Sequence, residues 1–243
     1  MNQRYSGSMA DTPRYAIYFV PAHLGDLDRF GAHLLGYDAF TGEELPFPDR
    51  LETTVPDWRQ LTDDPRKYGF HATLKAPLKL AAGTTEAGLL EACESFAGET
   101  RPVPLIQPMV DSIGDFIAIV PSQRTAELEQ LAADCVDHFD RFRAPLTPQD
   151  RARRNPDRLA PRQREHLDRW GYPHVMEDFR FHMTLTGRLP AERRKTILPM
   201  LRQRFAALRI ATLAVDRIAV FRQDGADSRF RIVRDYALAP AGI

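Results

Sequence analysis

The sequence predicts an α+β protein built from two similar halves, and three observations carry that reading. A pentapeptide occurs twice, Phe70-His71-Ala72-Thr73-Leu74 and Phe181-His182-Met183-Thr184-Leu185, with only the middle residue changed. In each half a strand bearing this pentapeptide is followed by a helical period and then by strand patterns. Several strand pairs are too close in sequence to need a crossover helix, which favours antiparallel pairing over a doubly wound sheet. The expectation is a duplicated, bilobal fold with two largely antiparallel sheets flanked by helices.

Taken in order, Tyr15 to Val20 is aromatic and β-branched and predicts a strand stopped by Pro21. Leu27, Phe30, Leu34 and Leu35 recur at helical spacing, with Asp26 at the start and Gly36 at the end. Residues 37–66 show no sustained period, and a loop of that length suggests function. The first His strand is expected over Tyr68–Lys75, halted by Pro77. Thr84 and Thr85 can cap a helix that presents Leu89, Leu90, Cys93, Phe96 and Ala97 on one face. Val103–Ile106 and Phe116–Val120 read as strands around a Gly114-Asp115 turn. A long amphipathic helix follows from Thr125 through Leu128, Leu131, Cys135 and Phe139. Residues 145–177, rich in proline and arginine, read as a connector with a short helix over Arg162–Trp170. The second His strand is expected over Asp178–Thr186. A helix led by Pro190 runs to about Phe205. Thr212–Phe221 and Ser228–Leu238 form a terminal hairpin across Asp224-Gly225.

The composition suits a soluble globular chain: 43% hydrophobic and 27% charged over 243 residues. Residues 1–13 read as a flexible leader and 14–243 as a single two-lobed domain. Thirty-three basic residues balance thirty-three acidic ones, which argues against holding long nucleic acid by charge. No apolar run suggests a membrane span. Cys93 and Cys135 fall on apolar helix faces, and the absence of CxxC and of a signal peptide points to reduced thiols in a cytoplasmic protein.

In an extended strand, residues two apart share a face. His71 and Thr73 therefore point one way while Phe70, Ala72 and Leu74 point the other, and the second copy repeats the pattern. Two imidazoles on one cavity can act as general base and general acid near neutral pH. The threonine hydroxyls are placed to donate to a phosphoryl oxygen. Extending each alternation by two adds Lys75 and Arg180 as candidate phosphate-binding cations. Tyr18 and Tyr68 are candidate substrate contacts. No Asp or Glu adjoins either histidine, so the chemistry is expected to need neither metal nor cofactor. His23, His33, His138, His166 and His174 have no partner motif. The arginines of the connector read mainly as a solvated face.

Apolar-His-x-Thr-apolar, twice and about a hundred residues apart, resembles the two-histidine (2H) phosphoesterase superfamily, which includes 2′-5′ RNA ligase-like proteins and cyclic nucleotide phosphodiesterases. That resemblance implies both motifs facing a central cleft, with His71 and His182 as the acid/base pair and Thr73 and Thr184 as phosphate-binding hydroxyls. It also implies metal-free cleavage or transfer at cyclic or 2′-linked phosphodiesters. More of the chain, including Tyr15-Ala16-Ile17-Tyr18, Phe30-Gly31-Ala32, Tyr68-Gly69 and Trp170-Gly171-Tyr172-Pro173, is similar to a bacterial family of phosphonate-metabolism proteins encoded near the carbon–phosphorus lyase genes, long known only as a domain of unknown function. That similarity implies a phosphoribosyl 1,2-cyclic phosphate as substrate, opened to ribose 1,5-bisphosphate, and a functional association with the lyase proteins. Three other readings stay open: an RNA-end 2′,3′-cyclic phosphate phosphodiesterase or 2′-5′ ligase-like enzyme, a non-catalytic nucleotide or sugar-phosphate binding module, and a structural partner of the lyase machinery.

Overall fold

The computed structural model describes residues 12–241, and residues 1–11 of the expected leader lie outside them. The aromatic run expected as a strand forms β1 (Arg14–Phe19), whose side chains alternate between two separate hydrophobic clusters. Helix α1 (Asp26–Leu35) buries Leu27, Leu34 and Leu35. Gly36 at φ 70° ends it and donates its N–H to the last-turn carbonyls of Ala32 and His33.

The stretch 37–66 departs from the expected open loop. It holds three single-turn helices, α2 (Leu51–Thr54), α3 (Trp58–Leu61) and α4 (Asp63–Arg66), each too short to show a period in sequence. Leu51, Val55 and Trp58 are buried in the main core. The Trp58 indole donates to the Leu34 carbonyl (2.8 Å), and the Arg66 Nε donates to the Leu35 carbonyl (2.6 Å). These bonds satisfy carbonyls that the end of α1 leaves without helical partners.

The first motif opens β2 (Ala72–Lys79), which runs past Pro77 instead of stopping there. Opposite Ala16, β2 carries two residues, Ala76 and Pro77, because Tyr15 pairs with Leu78 and Ile17 with Lys75. A bulge of this kind tolerates a residue without an N–H. Helix α5 (Glu86–Gly98) is capped by the Thr85 hydroxyl, which accepts from Gly88 N–H. The Gly114-Asp115 turn joins β4 (Pro108–Ile113) to β5 (Phe116–Pro121), whereas β3 (Leu105–Ile106) pairs elsewhere. The expected strand over 103–106 is thus not the partner of 116–120. Ile113 faces Phe116 directly across the turn, and that register leaves no room for the earlier segment.

Helix α6 (Ala126–Asp140) packs along β2. In the connector the helix expected over Arg162–Trp170 forms α8 (Pro161–Trp170), and it is preceded by a short helix the sequence did not suggest, α7 (Pro148–Ala152). Trp170 and Val175 bury against Val136 of α6. The second motif forms only the two-residue β6 (Met183–Thr184), shorter than the expected 178–186. Helix α9 (Ala191–Ala206), β7 (Leu213–Ala214), β8 (Arg217–Gln223) and β9 (Arg231–Ala237) complete the chain.

Seven strands form one antiparallel sheet in the order β4-β5-β6-β2-β1-β8-β9, and β3 and β7 form a separate pair. The strands of the two expected halves are therefore joined in one sheet, with β2 and β6 side by side. One face, including Tyr15, Ile17, Phe19, Ala72, Leu74, Met183, Ile117 and Val220, belongs to the main core with buried residues of α1, α5, α6 and α9. The motif residues His71, Thr73 and Thr184 fall on the other face. Among the described residues no helix is long and apolar enough to cross a membrane. Cys93 and Cys135 are buried free thiols, and burial pushes Cys93 up to about 12.

Gly31 of α1 meets the motif directly, since a Cβ there would lie 2.0 Å from the Phe70 ring. The ring is held in the core and cannot swing away, so Gly31→Ala is expected to cost about 1–3 kcal/mol. A urea titration of the variant against the parent chain measures this. An unchanged midpoint would show that Phe70 yields freely.

Candidate active site

The site rests on one register. Ala72 pairs with Met183 in the antiparallel β2–β6 ladder, so His71 lies across from Thr184 and Thr73 across from His182. The two motifs are related by a local two-fold placed between Ala72 and Met183. Each histidine faces the threonine of the other copy, which two parallel strands could not produce. Ala72 and Met183 are fully buried beneath, and the four polar residues are half-buried above.

Both imidazoles are oriented in the same way. His71 Nδ1–H donates to the Gly69 carbonyl (2.9 Å), and His182 Nδ1–H donates to the Arg180 carbonyl (2.7 Å). In each case the acceptor lies two residues back. With the proton fixed on Nδ1, each Nε2 is left with its lone pair. The Thr73 hydroxyl donates to His71 Nε2 at 3.3 Å. Gly69 has φ +75°, and a Cβ there would lie 2.6 Å from that of Ala39. The glycine thus permits the backbone turn that presents its carbonyl to His71. Tyr18 stacks on His71 with ring centroids 3.8 Å apart, and Phe116 approaches His182 at 5.6 Å.

Burial dominates the electrostatics. It pushes His71 down from 6.5 to about 4, against the favourable bond to Gly69, with His182 adding a smaller downward effect. His182 is also lowered, by burial first, with His174 contributing. No carboxylate stands beside either ring to hold a proton, so both imidazoles are neutral at neutral pH in the free protein. Among the described residues no group of three or more His, Cys, Asp or Glu is arranged to hold a metal ion.

Three adjoining cavities meet at the motifs. One of about 370 Å³ is lined by His71, Thr73, Thr184, Tyr18, Tyr68 and Tyr172 together with several cations. A second, of about 540 Å³, reaches His182, Thr73, His174, Arg180 and Tyr172. A third connects His71 and Thr184 to Tyr68, Phe116 and Arg188. Of the residues singled out in the sequence, His71, Thr73, Thr184, Tyr18 and Tyr68 line the first cavity, and His182 lines the second together with Thr73.

The two candidate cations differ from each other. Lys75 is only 2% exposed. Its ammonium donates to the Val136 carbonyl (2.8 Å) and to Asp140 Oδ1 (2.7 Å), so it ties β2 to the end of α6. Lys75 adjoins the cavity, but its donors are already engaged. Arg180 is exposed at the rim of the second cavity, and no ion pair is formed with it among the described residues. Its backbone carbonyl also fixes His182. The sequence reading missed Gly69 as an acceptor and Tyr172, Arg14, Lys79 and Arg154 as lining residues. Gly69 was legible only as a neighbour of the motif. The others come from strand ends and from the connector, where no periodicity marks them.

A family model described as "Protein of unknown function (DUF1045)" matches residues 73–231. The chain belongs to the DUF1045 family. Among curated proteins it is 36% identical over 220 residues to the ribose 1,5-bisphosphate phosphokinase PhnN of Janthinobacterium sp. (strain Marseille), covering 87% of this chain and 48% of that one. It is 29% identical over 231 residues to the protein of the same name from Laribacter hongkongensis (strain HLHK9), covering 94% and 53%. The chain thus spans about half the length of these relatives. Among solved structures it is similar in fold to E. coli LigT complexed with NADP+, at 12% identity and TM-score 0.42, covering 94% of this chain and 98% of that one. It is also similar to the conserved protein ATU0111 of Agrobacterium tumefaciens, at 13% identity and TM-score 0.45, covering 92% and 85%.

The lowered His71 predicts a pH dependence of stability. Between its folded value of about 4 and its ordinary value of 6.5, the unfolded chain binds a proton that the native chain does not. Its contribution is therefore intact above 6.5 and is lost as the pH falls toward about 4. Urea midpoints at about pH 8 and about pH 5 should diverge more for the parent chain than for His71→Gln. Equal divergence in the two proteins would refute the assignment.

Proposed function

We propose that this protein is a metal-independent phosphodiesterase that opens a small cyclic phosphate by two-histidine acid/base hydrolysis. The observation that carries the reading is the crossed register of the two motifs, which sets two imidazoles, each with its Nδ1 bonded to a backbone carbonyl and its Nε2 left as acceptor, beside two hydroxyls on one face of the sheet. One Nε2 takes a proton from water as the water oxygen attacks phosphorus. The bond from phosphorus to a ring oxygen breaks, and that oxygen takes a proton from the other Nε2–H. The products are a phosphomonoester and a free hydroxyl, and proton exchange with solvent restores the pair. Thr73 and Thr184 donate to the non-bridging oxygens, whose charge grows in the transition state. The bound anion raises the depressed histidine pKa values and thereby supplies the protonated partner that the empty cleft lacks.

The substrate we assign is a phosphoribosyl 1,2-cyclic phosphate from phosphonate breakdown. Its support is chemical: opening that ring at the 2-oxygen yields ribose 1,5-bisphosphate, the compound in the name of the curated relatives. A segment homologous to half of such a phosphokinase fits the step that supplies the kinase substrate. The same context supports a functional association with the carbon–phosphorus lyase proteins.

His71→Ala and His182→Ala are each expected to lower kcat at least ~100-fold, the usual scale for losing a general acid or base. Phosphorus NMR of 5-phosphoribosyl 1,2-cyclic phosphate, with a nucleoside 2′,3′-cyclic phosphate alongside and chelator present, measures this. Loss of only a few-fold from either variant, or strong inhibition by chelator, would overturn the mechanism. Opening of the nucleotide alone would leave the mechanism standing and move the substrate to RNA ends.

A further inference from the structure

The cavity on the His71 side has a charge imbalance that the hydrolytic pair does not use. Its lining includes Arg14, Lys75, Lys79, Arg143, Arg153 and Arg154 against a single carboxylate, Asp150. Three of the six are already engaged. Lys75 and Arg143 share Asp140, which Arg143 meets at 2.8 and 3.1 Å, and Arg153 lies 3.7 Å from Asp150. Of the other three, Lys79 acts on the same Asp150 through its charge, and Arg14 and Arg154 have no carboxylate partner among the described residues. Arg14 donates to the neutral Gln223 side chain and lies over the Phe230 ring. Arg154 lies over the Tyr172 ring at 5.2 Å. The other two cavities show no such excess: Asp178 accompanies Arg180 and Arg188 in one, and Asp64 accompanies Arg188 in the other.

Like charges in excess around one concave wall repel one another, and a multiply charged anion relieves that repulsion. The rings beneath Arg14 and Arg154 hold their guanidinium planes, and Arg14, with Nε and one terminal nitrogen on Gln223, keeps its other terminal nitrogen to donate. From this arrangement we infer that Arg14, Lys79 and Arg154 form a second anion subsite that binds a terminal phosphomonoester of the substrate. The ring phosphate lies at the threonines, and the remote phosphate lies on the His71 side of the cleft. This deepens the reading of the cleft as a cyclic-phosphate site and rests on it for the identity of the substrate. It also orients the substrate, because the His182 side offers no comparable cluster. The substrate class is a sugar cyclic phosphate carrying a second, exocyclic phosphate, in preference to an unphosphorylated cyclic phosphate.

The test uses binding, so it needs no turnover. Ribose 5-phosphate and ribose are titrated calorimetrically into the parent chain, Arg154→Gln, Lys79→Gln and Thr184→Val, with folding checked by circular dichroism. The expected result is that ribose 5-phosphate binds and ribose does not. Arg154→Gln and Lys79→Gln should each weaken binding about tenfold or more, as for a lost charge-assisted hydrogen bond, while Thr184→Val changes it less. Failure of ribose 5-phosphate to bind the parent chain, or unchanged affinity in both cation variants, would overturn the subsite. Loss confined to Thr184→Val would overturn it too, by assigning that phosphate to the hydrolytic centre. Each of these results can occur with ring opening intact, and absence of ring opening leaves the binding comparison valid.

Discussion

The backbone pairing of Ala72 with Met183 is the constraint on which the site depends. It joins β2 to a β6 of only two residues, between a strand of the first half and one of the second. Everything on the open face follows from it: a shift of one residue would turn a histidine into the core and bring an apolar side chain into the cleft. The register is held from below by Ala72, Met183, Leu74 and Leu185, all buried. It is held from the side by β5, where Thr184 pairs with Ala118 and the Thr186 hydroxyl accepts from Ile117 N–H at 3.1 Å. The short strand keeps its place because its neighbours leave it no alternative.

The sheet separates two tasks by face. One face packs against helices and supplies the apolar burial that stabilises the fold. The opposite face is covered over β1 and β8 by a smaller apolar cluster that includes Tyr37, Ala39 and Phe230, and carries the polar motif residues over β2 and β6. Burial of the histidines there depresses both pKa values, and no carboxylate beside either ring offsets it. Such a pair is responsive to an incoming anion, because a negative charge in the cleft acts on both imidazoles at once. The Lys75–Asp140 pair performs a different task at the same wall. It bridges β2 to the end of α6 through a buried ammonium whose bonds are met by a carboxylate and a carbonyl, an arrangement that favours position over charge.

The local two-fold of the motifs does not extend to the rest of the cleft. Gly69 at positive φ orients His71, while an ordinary exposed arginine supplies the matching carbonyl to His182. Tyr18 stacks on the first imidazole, and Phe116 only approaches the second. The excess of cations over carboxylates is larger on the first side, with six against Asp150, than on the second, where Arg180 and Arg188 stand with Asp178. A symmetric pair of motifs is thus set within walls that differ in shape and charge from one end of the cleft to the other.

The sequence by itself determined the class of fold, the antiparallel pairing and which side of its strand each motif residue takes, because alternation along a strand is a local property and the pentapeptide states it twice. Phe70, Ala72 and Leu74 under His71 and Thr73 needed no tertiary information. Tertiary structure decided how the two copies meet, since the pairing of residues more than a hundred positions apart leaves no local trace. It also decided that Lys75, on the same strand face as His71, has its charge taken up by α6. Within 145–177 the helix expected over Arg162–Trp170 was legible, whereas 37–66 and the part of the connector before α8 were opaque because their helices of one turn or little more are too short to repeat a period. Trp58, Arg66 and Arg154 therefore acquire their roles only through the elements they pack against.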